Sequence, residues 1–127
     1  VFSTQIGEIS FACAGLTEKI AQDQYHYDIV VGKAQAPNRH PGLMPGMQPL
    51  NVKLVFDKRT GRILGAQLWG AKSVGELINA LSGFIQQKAT ADDIAIFQLG
   101  THPALTASPI AYQLVNAAEV AVKTMLC

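Results

Sequence analysis

The stretch NVKLVFDKRTGRILGAQLWG, residues 51–70, constrains the fold more than any other part of this chain. Val52, Leu54 and Phe56 alternate with Lys53, Val55 and Asp57, the period-2 pattern of a strand with distinct faces. The short turn ending in Gly61 sends Arg62 to Gly70 back alongside, as the second arm of an antiparallel hairpin. Gly65, inside that arm, marks a close backbone approach or a bulge.

Other segments add elements to this hairpin. In residues 5–15, Glu8 and Ser10 alternate with Ile9, Phe11 and Cys13, which predicts one strand with a single buried face, Cys13 being a buried thiol; Gly15 ends it. Thr17 caps a short helix with Glu18 in its first turn. Residues 25–31 return to strand, with Tyr25, Tyr27, Ile29 and Val31 on one face and His26 a surface residue on the other. Residues 34–49 hold Pro37, Pro41, Pro45, Gly42 and Gly46 and read as a long loop, of the length that tends to be functional or mobile. Within it, Arg39 and His40 either contact an anion or stand at a solvated tip.

Three helices follow. Ser73 and Glu76 have the spacing of a capping box, ahead of an apolar face of Leu77, Ile78, Leu81, Phe84 and Ile85. Thr90 to Asp93 repeats the capping pattern before a shorter helix with Ile94, Ile96 and Phe97. Ser108 and Pro109 start the last helix, whose core face is Ile110, Leu114, Val115, Ala118, Val122 and Met125. Small residues Ala117, Ala118 and Ala121 on that helix let another backbone come close. The order predicts an α+β fold, an antiparallel sheet of about four strands with helices packed against it.

With 127 residues, 49% of them hydrophobic and 15% charged, residues 1–127 make one domain with a real core. A net charge of +1 without a basic stripe argues against nucleic acid as a partner. No apolar run approaches the roughly 20 residues that cross a bilayer, so we expect no membrane partner and a cytoplasmic protein. Cys13 and Cys127 lack ligand-spaced companions, and His26, His40 and His102 are dispersed, so no metal site is expected. Gly61, Gly65 and Gly70 have the wrong spacing for a phosphate cradle, and Ser108 sits where a cap belongs. The chain therefore holds no cofactor by itself, and it reads better as a module that completes a site on another polypeptide than as an enzyme alone. It opens on Val1 with strand-like sequence, as a piece of something longer would. The most suggestive histidine is His102: with Pro103 it stands on a loop just before a helix, where a scaffold can present an acid/base group, or where a rigid turn is all that is needed.

These residues resemble a known family. GLTE at 15–18, HPGLMPG at 40–46, KLVFD at 53–57, GRILGAQ at 61–67 with Gly70, and TADD at 90–93 are similar to the C-terminal dimerisation domain of the FAD-dependent pyridine nucleotide-disulfide oxidoreductases. Within them the likeness is to the NADH oxidase and coenzyme A-disulfide reductase branch. The resemblance implies a domain from a homodimeric parent whose N-terminal domains bind FAD and NAD(P)H, with no cofactor in this domain. It implies that the loop before the last helix reaches the partner's flavin, His102 acting there as acid/base and Pro103 touching the flavin region. In glutathione-reductase-like members a glutamate follows the histidine five residues on; here that residue is Ala107. Leu43 and Met44 stand where the coenzyme A-disulfide reductases usually have two tyrosines, whereas Ser108-Pro109 agrees with that branch. The alternative reading is a free-standing, non-enzymatic binding or scaffold module of the same fold.

Overall fold

The computed structural model describes all residues, Val1–Cys127. A five-stranded antiparallel sheet is built from β1 (Phe2–Ile6), β2 (Ile9–Gly15), β3 (Ile29–Pro37), β4 (Pro49–Asp57) and β5 (Ile63–Gly70), in the order β1-β2-β5-β4-β3. The expected hairpin is its centre: Val52 pairs with Leu68 and Leu54 with Ala66, with an irregularity at Val55/Phe56. Both readings of Gly65 hold. It lies opposite that irregularity, and a Cβ on it would overlap the carbonyl of Leu16.

Four helices, α1 (Glu18–Asp23), α2 (Val74–Gln86), α3 (Ala91–Ala95) and α4 (Gln113–Leu126), complete the fold. Helix α2 packs on β2 and β5, and α4 on β3 and β4, so both cover one face of the sheet. Leu50, Val52, Leu54, Phe56, Leu68, Ile78, Leu81, Ile94 and Leu114 fill the layer between. Helix α1 lies on the other face, where Glu18 pairs with Lys53 at 2.8 Å. Its cap is as expected, the Thr17 hydroxyl accepting from the amide of Ile20. No helix is long and apolar enough to cross a membrane.

Several expectations are corrected. Residues 5–15 are not one strand: the chain turns at Gly7, where φ is +62°, and β1 and β2 pair as a hairpin. The buried face of β2 is Ser10, Ala12 and Ala14, while Ile9 and Phe11 are exposed and Cys13 only half-buried. Period-2 alternation gives two faces but not which one lies inside; the close approach of α2 admits only small side chains beneath it. Strand β3 begins at Ile29, so His26 is an exposed turn residue with φ of +56°, not a strand residue. The strand then continues to Pro37, which pairs with Pro49 and shortens the irregular connection to residues 38–48.

At α2, Ser73 adopts helical angles and makes no capping hydrogen bond, so the expected capping box does not form; at α3 the Thr90/Asp93 box does. Ser108 does not cap the last helix either. Pro109–Ala111 forms a separate 3-10 turn, the backbone extends at Tyr112, and α4 starts at Gln113. Ile110 is thereby exposed rather than part of the core face. The small residues of α4 do admit a close backbone, but it is the chain's own: a Cβ on Gly32 would overlap the carbonyl of Ala117. Ala117, Ala118 and Ala121 are fully buried within the chain itself.

Candidate functional site

Two His-Pro pairs, far apart in sequence, meet at one end of the sheet. His40 N–H donates to the Pro103 carbonyl at 3.0 Å, tying the 38–48 loop to the loop that carries His102. The 38–48 loop is closed at its base by Asn38, whose amide donates to the Gln48 carbonyl and whose Oδ1 accepts from Gln48 N–H. Arg39 crosses it, donating from Nη1 to the Pro45 carbonyl at 2.8 Å. Arg39 is thus a strut of the loop, whereas His40 is exposed. The His40-Pro41 bond is cis and His102-Pro103 is trans.

His102 is exposed on a compact turn. Its carbonyl accepts from the amides of Leu105 and Thr106, and its own N–H donates to the Thr106 hydroxyl at 2.9 Å. That hydroxyl lies 3.3 Å from the His102 carbonyl and 3.2 Å from the Ala107 carbonyl, either of which takes its proton. The Nδ1 of the imidazole accepts from the amide of Ala104 at 3.3 Å. A neutral imidazole whose Nδ1 accepts carries its proton on Nε2. The backbone therefore sets the tautomer. Thr106 was not singled out by sequence reasoning; a hydroxyl residue four positions after His102 is the signal that points to it.

Beneath this turn lies an open hollow of about 310 Å³, lined by Leu105, Ala107, Tyr112, Ser73, Glu76 and Leu77 among others. Ala107 is buried in its wall, so the fifth position after His102 is an apolar one. Half-burial pushes the Tyr112 hydroxyl up, keeping it a neutral donor. The Ser73 hydroxyl is buried without a partner, a consequence of the helix start it fails to cap. Gln113 fixes the far side, donating from Nε2 to the carbonyls of Ala36 and Pro37 at the end of β3.

His26 stands in the turn after α1, apart from the two His-Pro loops, and no group of three or more His, Cys, Asp or Glu side chains is placed to hold a metal. The glycines that might have cradled a phosphate are engaged elsewhere. Gly61 makes the hairpin turn with φ of +77°, Gly65 lies against Leu16 and Gly70 against Pro49.

Comparison with known proteins gives a consistent picture. The family model for the pyridine nucleotide-disulphide oxidoreductase dimerisation domain matches residues 1–124. The NADH oxidase of Methanocaldococcus jannaschii is 30% identical over 122 residues, 96% of this chain and 26% of that protein. The coenzyme A disulfide reductase of Staphylococcus epidermidis is 30% identical over 79 residues, 62% of this chain and 17% of that protein. Among solved structures, the water-forming NADH oxidase from Lactobacillus brevis bound to NADH gives a TM-score of 0.87 at 29% identity, covering 98% of this chain and 27% of that one. The chain thus spans about a quarter or less of the length of these relatives.

Proposed function

From its membership of the pyridine nucleotide-disulphide oxidoreductase dimerisation-domain family, to which this chain belongs over residues 1–124, we propose that it is the C-terminal domain of a longer, cytoplasmic FAD-dependent NAD(P)H oxidoreductase of the NADH oxidase or disulfide reductase kind. In that role residues 1–127 build the homodimer and lend one wall of the redox site to the partner subunit. FAD and NAD(P)H belong to the N-terminal domains of the parent, and the isolated domain does not catalyse the reaction.

His102 is the residue we assign to the partner's site, with Pro103 as a contact near the flavin. The observation that carries the assignment is an exposed imidazole on a loop held by its own backbone, with Nδ1 occupied by the Ala104 amide. Nε2–H is then the group the loop offers, a hydrogen-bond donor able to stabilise negative charge across the dimer. The test is His102→Ala in the full-length parent. Reductive turnover should fall by roughly 100-fold, the scale of losing a hydrogen-bond donor to developing negative charge, while the variant still sediments as a dimer. Unchanged turnover would reduce His102 to a turn residue, and a monomeric wild-type parent would remove the trans arrangement altogether.

A further inference from the structure

At the opposite end of β4 from the His102 loop, roughly 23 Å along the strand at about 3.3 Å per residue, lies a second open depression of about 270 Å³. Tyr27, Asp57, Arg59, Thr60, Arg62 and Lys88 are among the residues that line it. Three cations share this space, brought there by three separate elements: Arg59 by the hairpin turn, Arg62 by the residue before β5, and Lys88 by the chain leaving α2. The chain's one ion pair joins Lys53 to Glu18, so none of the three is ion-paired at contact distance, although Asp57 feels the Arg59 charge. The sole arginine side chain held by a hydrogen bond within the chain is Arg39, which leaves the guanidinium donors of Arg59 and Arg62 free.

The one acid among the lining residues, Asp57, brings a single negative charge against the three cations. Asp57 accepts from Arg59 N–H at 3.1 Å through Oδ1 and from the Thr60 hydroxyl at 2.6 Å through Oδ2. Lys88 occupies a position after a helix end that glycine ordinarily takes, with φ of +55°. Lys88 thus shares the depression with two arginines while in a backbone conformation that disfavours any residue but glycine.

We propose that this depression binds a small phosphate-bearing anion, with Arg59 and Arg62 supplying forked donors and Lys88 a point charge. The Tyr27 ring, which lines the same space and stacks on Tyr25 at 6.5 Å, provides a flat wall for a planar group attached to the phosphate. This site is independent of the role assigned to His102, and its test does not require the parent enzyme.

The 127-residue chain is titrated with inorganic pyrophosphate, ADP and adenosine, followed by amide NMR and calorimetry in low salt and again at physiological salt. Pyrophosphate and ADP should shift amides at residues 58–62 and 87–89, with affinity falling as salt rises. Arg59→Gln and Arg62→Gln should each weaken binding roughly tenfold, the scale of losing a hydrogen bond to a charged group. Lys88→Gly, which keeps the left-handed backbone, should weaken binding while leaving the melting temperature unchanged or higher. ADP binding tighter than pyrophosphate, with the difference lost in Tyr27→Leu, supports the site as one for a nucleotide; equal affinities support it as one for the phosphate alone. No shifts with either phosphate probe into the millimolar range overturn the proposal, as does binding indifferent to both arginine substitutions. A response to a polyglutamate peptide but not to pyrophosphate also overturns it, in favour of an acidic protein surface.

Discussion

Thr106 determines how firmly His102 is held. One hydroxyl accepts from His102 N–H and sits within reach of two carbonyls, closing the turn that lets the Ala104 amide meet Nδ1. Thr106→Val keeps the shape and removes those bonds, at a cost of about 1 kcal/mol for an exposed turn. Its sharper effect should be on the ring: imidazole nitrogen shifts should report the Nε2–H tautomer in the wild type, an averaged pair in Thr106→Val, and recovery in Thr106→Ser. Identical spectra for all three would show that the turn holds without the hydroxyl. This residue also marks where reading the sequence stopped. His102-Pro103 and Ala107 were visible as matches and departures from a family pattern, but the Ala104 amide that meets Nδ1 has no side-chain signature. Nor did the sequence indicate that His40 would meet Pro103, since that contact depends on how two loops fold over the same end of the sheet.

Between β4 and β5 the turn is organised by a buried carboxylate. Burial alone would raise the Asp57 pKa, but the Thr60 hydroxyl, the Arg59 amide, the Arg59 charge and the Thr60 amide together hold it below the usual aspartate value. A depressed folded pKa means stability present above the unfolded pKa of about 3.9 and lost as pH falls through the folded value. Asp57→Asn should therefore destabilise the chain near neutral pH, by about 1–3 kcal/mol if the turn amides lose their acceptor. In chemical denaturation the gap between the two proteins should close at acid pH; a constant gap would show that the charge is irrelevant. The close seat of α4 on β3 gives a second prediction at this scale. Gly32→Ala must push the Ala117 carbonyl away, and overpacking of this kind should cost about 3 kcal/mol. Loss of less than half of that would mean α4 can slide. The elements themselves were legible wherever local chemistry decides: the hairpin from its alternation, α1 and α3 from threonine caps. They were misread where packing decides. The inner face of β2 goes with the nearness of α2, and α4 starts only at Gln113, whose side chain bonds the end of β3.

The whole sheet is graded from one edge to the other, and this grading follows from its strand order rather than from any one contact. β1 is an edge strand with all five of its residues exposed, held mainly by its pairing to β2. β4 and β5 are paired on both sides and bury Val52, Leu54, Phe56 and Leu68 almost completely. Phe2, Ile6, Ile9, Phe11 and Trp69 line the uncovered face at the β1 side, so that part of the sheet gains little from burial in this chain. Local opening follows such differences, because a segment with few buried apolar contacts can detach without disrupting the core. Amide exchange should accordingly be fastest in β1, intermediate in β2 and slowest in β4 and β5, the last approaching the rate set by global unfolding. Gly32→Ala, which disturbs α4 over β3 and β4, should speed exchange at the centre while leaving β1 as it was. Equal protection across all five strands would instead mean that β1 opens only with the core, and that pairing to β2 alone suffices to fix the edge.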